Sequence, residues 1–244
     1  MVKNQTVLIT GCASGIGSCI VKKYLHDGYK VIGIDKDECS FAGDFSFYLC
    51  DLSNENNVRN TFVNIREKNN SISYLISCAG ILFDNKRNTV EEMDLNEWYT
   101  VLNNNLTSSM ITTREAIPLL KNCSSDKAIV FVSSDQALYP KNKSSAYAVS
   151  KGGLVAFSKA CSVELIKYGI RVNVVAPASV KTNFIKKMAK SDSRMKDIYR
   201  KENEKMPLGI IEPEEVAELL FFLGTPKSRK ITGQTIMIDS GLYL

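Results

Sequence analysis

Short apolar runs alternate with longer helical patterns along this chain, and that alternation restricts its fold more than any other feature. The strand-like runs fall at residues 6–9, 30–34, 46–49, 73–77, 128–132, 170–175 and 234–238. Helical patterns fill about 15–27, 55–68, 95–121, 145–167 and 213–223. Runs such as Ile129-Val130-Phe131-Val132 are apolar throughout, as strands of a parallel sheet buried on both faces require. Alternation of this kind implies right-handed crossovers and an open, doubly wound α/β sheet. At 244 residues and 44% hydrophobic, the chain suits one domain spanning residues 1–244. Ligands of such sheets bind outside the carboxyl ends of the strands.

Composition removes several function classes. No stretch approaches the ~18 apolar residues of a membrane helix. Thr6-Val7-Leu8-Ile9 begins almost at once, without the apolar region and cleavage site of a signal peptide, so a cytoplasmic protein is expected. The seven cysteines include no CxxC spacing and read as reduced thiols; Cys12 and Cys78 near the proposed site read as small hydrophobes rather than redox groups. The single histidine, His26, excludes a site with two histidine ligands, and no metal is expected. It lies in a helical pattern remote from the other candidate residues, which argues against a Ser-His-Asp hydrolase. The net charge is +5, and residues 183–206 hold eight basic against four acidic residues. The interleaved acids point to a solvated helical segment rather than a nucleic-acid face.

The chemistry begins at Thr10-Gly11-Cys12-Ala13-Ser14-Gly15-Ile16-Gly17, between the first strand and the first helix. Glycines there let the backbone turn tightly and approach a pyrophosphate at a helix N-terminus. Their Gly-x3-Gly-x-Gly spacing differs from the general dinucleotide fingerprint. Asp35 ends the second strand. A carboxylate there accepts hydrogen bonds from an adenosine ribose and repels a 2′-phosphate, favouring NAD over NADP, although Lys36 follows directly. A plain turn residue is the other reading of Asp35. Asp51-Leu52, after the third strand, suits either an adenine edge or a helix-capping turn.

Tyr147 and Lys151 stand four apart and share one helix face. A free tyrosine has a pKa of about 10, and a neighbouring ammonium lowers it by favouring the phenolate. The pair therefore suggests proton transfer at an alcohol oxygen. Ser134 lies thirteen residues before Tyr147, at the carboxyl end of a strand. Ser133 reads as a turn residue and Ser134 as the better placed hydroxyl. Taken alone, Tyr147 and Lys151 would fit an amphipathic helix with a snorkelling lysine.

Together these residues resemble the short-chain dehydrogenase/reductase family, nearly end to end. The family's Thr-Gly-x3-Gly-x-Gly stands at Thr10 to Gly17, and Asp51-Leu52 matches its adenine-side motif. Ser77-Cys78-Ala79-Gly80 stands for the usual Asn-Asn-Ala-Gly, and Asn105-Leu106 matches the helix asparagine. Ser134, Tyr147 and Lys151 fall on the catalytic positions. Arg171-Val172-Asn173 and Pro177-Ala178-Ser179-Val180-Lys181-Thr182 match the segment that meets the nicotinamide. The sequence departs from the pattern at Cys78, at Ala178 and at Ser240, the last two replacing glycines.

The resemblance implies a Rossmann-type fold with helices on both faces of a seven-stranded parallel sheet. It implies an enzyme that moves a hydride between NAD and a secondary alcohol or ketone. Tyr147 would carry the proton, Lys151 would lower its pKa and bind the nicotinamide ribose, Ser134 would orient the substrate oxygen, and Asn105 would hold a relay water. Gly11, Ser14, Gly15, Ile16, Gly17, Asp35, Asp51, Leu52, Ala79, Gly80, Pro177, Val180 and Thr182 would join Tyr147 and Lys151 around the cofactor. A short segment after Asp35 resembles the dihydrodiol and aldose dehydrogenase branches, hence a small cyclic or polyhydroxylated substrate. Asp135 and Gln136 suit either ring hydroxyls or a turn. Residues 183–206 occupy the position of a substrate lid, and a homotetramer or dimer is expected. An NADPH-dependent carbonyl reductase and a silent dinucleotide-binding regulator are the alternatives.

Overall fold

The structure is a computed structural model that describes residues 5–82, 88–182, 200–201 and 204–244. Its strands are β1 (Thr6–Thr10), β2 (Lys30–Asp35), β3 (Phe45–Leu49), β4 (Tyr74–Ser77), β5 (Lys127–Val132), β6 (Ile170–Pro177) and β7 (Thr235–Ile238). They form one sheet in the order β3-β2-β1-β4-β5-β6-β7, with every pairing parallel. The order reverses between β1 and β4, whose ends meet where Thr10 pairs with Ser77. That reversal leaves a crevice for a ligand.

The helices are α1 (Gly15–His26), α2 (Glu55–Lys68), α3 (Leu95–Leu102), α4 (Ser108–Lys121), α5 (Ser145–Leu165) and α6 (Pro213–Gly224). Successive strand side chains point to opposite faces, so the sheet divides the core in two. Val7, Ile9, Tyr74, Ile76 and Val130 pack with α1 and α6 residues such as Ile20 and Leu220. Leu8, Leu75, Ile129 and Phe131 pack with α2, α4 and α5 residues such as Phe62, Leu120 and Leu154. Burial on both faces explains why the central strands are apolar without alternation. The edge strands β3 and β7 contain no fully buried residue.

One expected helix differs. The pattern at 95–121 breaks into α3, a π-helical turn at Asn103–Thr107, and α4. Three consecutive asparagines, poor helix formers that bond to nearby backbone, occupy the start of that turn, and Asn104 Nδ2 donates to Thr100 O at 2.9 Å. The segment between β2 and β3 holds no helix, in line with the short crossover expected there. His26 is the exposed last residue of α1. Most of the expected lid, residues 183–199 and 202–203, lies outside the described residues. Among the described residues no helix is long and apolar enough to cross a membrane.

Candidate active site

The glycine loop is shaped by contacts that exclude side chains. Gly11 has φ +69°, and a Cβ there would meet Ala79 N at 2.8 Å. At Gly17 a Cβ would lie 1.9 Å from Gly11 O. Neither position tolerates a larger residue, and so the loop folds flat against the end of β4. Ser14 is the N-cap of α1 in extended conformation, yet its side chain makes no capping bond. The first amides of α1 thus keep their capacity for an anion.

Asp35 closes the other side of the loop. Its Oδ2 accepts Ala13 N–H at 2.9 Å and its Oδ1 accepts Asp37 N–H at 3.1 Å. The carboxylate is both a turn residue and a wall of the cleft. Asp51 Oδ1 likewise accepts from Ser53 N at 2.9 Å and Ser53 Oγ at 2.7 Å, while Asn54 caps α2.

These elements enclose a cleft of about 410 Å³ at the carboxyl ends of β1, β2 and β4. Of the residues expected around a cofactor, Gly11, Ser14, Gly15, Ile16, Gly17, Asp35, Asp51, Leu52, Ala79, Gly80 and Thr182 line it. Pro177, Val180, Tyr147 and Lys151 do not. Val180 is instead packed in the core beside Ile211. Lys36, Asp37, Cys50, Cys78, Ile81 and Asn104 line the cleft without having been singled out as cofactor ligands. Their position after strand ends was the available signal. The glycines, the uncapped helix start and Asp35 fit a dinucleotide along this cleft.

A second cluster lies at the end of β5. Ser133 Oγ donates to Lys151 O at 2.9 Å and serves the framework. Ser134 is the N-cap of the short turn Asp135–Ala137, its Oγ donating to Asp135 Oδ1 at 2.8 Å and accepting Gln136 N–H at 3.2 Å. Lys151 Nζ donates to Val132 O at 2.9 Å and sits 5.8 Å from the Tyr147 ring centre. Here the structure corrects the sequence argument. Burial pushes the Tyr147 phenol up to about 12, with nearby Ser134 opposing and Asp135 adding to the rise. Burial also pulls Lys151 down to about 8. In the protein by itself, desolvation outweighs the attraction that the Tyr-x3-Lys spacing suggested.

Asn105, in the π-helical turn, is fully buried. Its Oδ1 accepts Ile81 N–H at 2.7 Å, and its Nδ2 donates to Ile81 O at 2.8 Å and Ser150 Oγ at 3.0 Å. Both side-chain N–H groups are committed, so the amide ties the loop after β4 to α5. A relay water could meet only an oxygen of this residue. A Cβ on Gly80 would lie 2.8 Å from Asn105 Oδ1 and 3.3 Å from Lys151 Nζ, which explains the glycine. The Cys78 thiol is pushed up to about 12 by burial and the Cys12 thiol higher still, which suits inert cysteines.

The family model described as enoyl-(acyl carrier protein) reductase matches residues 11–243. A 3-oxoacyl-(acyl-carrier-protein) reductase of Buchnera aphidicola is 31% identical over 252 residues, covering 100% of this chain and 99% of that protein. A short chain dehydrogenase family protein of Francisella tularensis superposes with a TM-score of 0.86 at 33% identity, covering 98% of each chain. The chain belongs to the short-chain dehydrogenase/reductase family. The ligand-free aldohexose dehydrogenase of Thermoplasma acidophilum reaches a TM-score of 0.90 at 29% identity, covering 99% of this chain and 94% of that one. The protein is an oxidoreductase acting on CH–OH groups with a nicotinamide cofactor.

Against the short-chain dehydrogenase/reductase pattern, one segment needs correction. Arg171 and Asn173 do not approach the nicotinamide side. Arg171 is buried at the start of β6, about 20 Å of strand from its carboxyl end, and donates to Leu223 O at 2.7 Å and Asp126 Oδ2 at 2.8 Å. Asn173 Nδ2 donates to Ile231 O at 2.9 Å. Both hold β6 to its neighbours. Ala178 avoids the left-handed backbone, so replacing the usual glycine costs nothing there, whereas Ser240 adopts φ 53°.

Proposed function

We propose that the protein transfers a hydride between NAD and a secondary alcohol or its ketone, on a small cyclic or polyhydroxylated substrate. The observation that carries this reading is buried Lys151, its Nζ 5.8 Å from the Tyr147 ring centre and bonded to Val132 O at the end of β5 just before Ser134, next to a cleft walled by Asp35. The glycine loop and the start of α1 would hold the pyrophosphate, and Asp35 the adenosine ribose. When bound, the nicotinamide supplies a ring that takes or returns a hydride and is positively charged when oxidised. Tyr147 takes the hydroxyl proton in oxidation and returns it in reduction. Ser134 fixes the substrate oxygen beside that phenol. Lys151 binds the nicotinamide ribose, and its ammonium together with the ring charge offsets the cost of the buried phenolate. Asn105 holds the relay water through an oxygen.

The whole chain would act as one catalytic domain, with residues near 183–206 as substrate lid. Leu95, Tyr99, Val149 and Val163 leave apolar surface on α3 and α5, which supports a homodimer or tetramer. The aldohexose dehydrogenase among the similar structures favours a polyhydroxylated substrate. The reductase from Buchnera favours the second reading, an NADPH-dependent carbonyl reductase, and Lys36 on the cleft wall is the residue that would serve it.

The test follows the absorbance of reduced nicotinamide with purified protein, NAD or NADP, and a panel of aldoses, polyols, cyclic dihydrodiols and hydroxysteroids. Turnover of one class with NAD is expected, reduced about 100-fold or more by Tyr147→Phe. Turnover with NADPH and ketones alone would favour the second reading. Nucleotide binding with no turnover of any compound would leave a dinucleotide-binding regulator.

A further inference from the structure

Two thiols meet behind the wall of the cleft. Cys12, in the glycine loop, and Cys39, in the segment between β2 and β3, place their sulfurs 3.6 Å apart. A separation of 27 residues hid this pair from the sequence, where Cys12 read as a plain hydrophobe. Cys12 is fully buried, whereas Cys39 is half-buried. Cys12 is hemmed in by β2, since a Cβ on Gly33 would lie 2.8 Å from its sulfur and 2.7 Å from the Phe45 ring. The far half of the segment is anchored, Phe41 resting edge-on against Phe45 with ring centres 5.0 Å apart. Its near half carries Lys36 and Asp37, which line the cleft, and Asp37 N–H is the donor to Asp35 Oδ1. A disulfide needs its sulfurs ~2.05 Å apart. Closing that gap therefore moves Cys39, and the displacement falls on residues 36–39, beside Asp35.

We propose that Cys12 and Cys39 form a reversible disulfide that weakens nucleotide binding at the adenosine end of the cleft. The loss of affinity rests on the reading of Asp35 as the ribose wall; the bond itself does not. Burial raises both thiols, Cys12 more steeply, while the contact with Cys12 opposes the rise at Cys39. Cys12 is thus inert toward reagents in solvent, and Cys39 is the sulfur that an oxidant reaches. With a peroxide as oxidant, the Cys39 thiolate attacks one peroxide oxygen, the O–O bond breaks and a sulfenic acid forms. The Cys12 sulfur then displaces that hydroxyl and gives up its own proton. The two thiols together lose two protons and two electrons, hydrogen peroxide leaves as two waters, and one S–S bond remains. A dithiol reductant reverses the step by exchange through a mixed disulfide. Neither thiol lines the cleft, so turnover at saturating nucleotide should persist. The coupling is reciprocal: bound nucleotide disfavours the disulfide by the factor by which the disulfide weakens the nucleotide.

The test incubates the purified protein with excess hydrogen peroxide, alkylates it without reduction and maps its peptides by mass spectrometry. A Cys12–Cys39 link is expected, with two of the seven thiols lost and both regained in dithiothreitol. NADH binding, read by its fluorescence, should weaken about fivefold or more on oxidation. In glutathione redox buffers, saturating NADH should shift the midpoint of disulfide formation toward more oxidising ratios by that same factor. Cys39→Ala should neither form the link nor lose NADH affinity in peroxide. Absence of the link, or a link that leaves NADH affinity and the midpoint unmoved, would overturn the proposal. An equal loss of affinity in Cys39→Ala would overturn it too, by assigning the effect to another thiol. If the reduced protein binds NADPH but not NADH, the reading of Asp35 fails by itself. The peptide map then still decides the bond, and NADPH takes the place of NADH in the affinity measurement.

Discussion

Single side chains carry both the proposed cofactor preference and the cost of the site. Asp35→Asn keeps an oxygen for Ala13 N–H but removes the charge facing a 2′-phosphate. On the proposed NAD reading, the preference for NAD over NADP should fall by about tenfold or more, ~1.4 kcal/mol, in parallel saturation curves; an unchanged ratio would restrict Asp35 to its turn. Lys151 is costly in the protein alone. Its folded pKa is about 8 against an ordinary 10.5, so between those values the unfolded chain binds more protons. Stability therefore rises with pH across that window, and the full cost is felt below about 8. Lys151→Met should lose turnover yet unfold at higher urea than the parent at neutral pH, with the gap narrowing as pH rises through the window. Ser240 spends backbone energy at φ 53°. Ser240→Gly should raise stability by up to about 1 kcal/mol in urea unfolding.

The elements deliver these residues through their ends. Helix α2 occurs at Glu55–Lys68, the range its pattern gave, and α6 begins at Pro213 with a reciprocal bond pair between Glu212 and Glu215. Periodicity and caps are local, and so these were legible. The π-helical turn was not, because one extra residue leaves the apolar spacing on either side intact. Its consequence is Asn105, which holds both polar groups of Ile81 and the Ser150 hydroxyl. Asn105→Ala leaves Ile81 N–H without this acceptor and should destabilise by about 2 kcal/mol. Turnover should fall even at saturating cofactor, as Lys151 and the loop after β4 lose register; an activity loss overcome by excess nucleotide would contradict this.

At the scale of the molecule, the sheet is tied together from its far end. Arg171 is buried and bonds Leu223, Ser228, Thr225 and Asp126, joining β6 to α6 and to the approach to β5. Arg171→Met leaves buried acceptors unpaired and should cost about 3–5 kcal/mol in urea unfolding, with cofactor affinity of the folded fraction little changed. By itself the sequence determined the alternation of strands and helices, the glycine loop, the acid ending β2 and the pairing of Tyr147 with Lys151 on one helix face. Each of these is a property of one element and its immediate neighbours, where spacing translates directly into geometry. The tertiary structure decided the rest. It buried Lys151 and half-buried Tyr147, so that desolvation opposes the expected pKa argument, turned Arg171 away from the site, and brought Tyr243 to Asp135 across 108 residues of chain. Desolvation and bonds between distant elements depend on how the layers stack, and local periodicity carries no record of that.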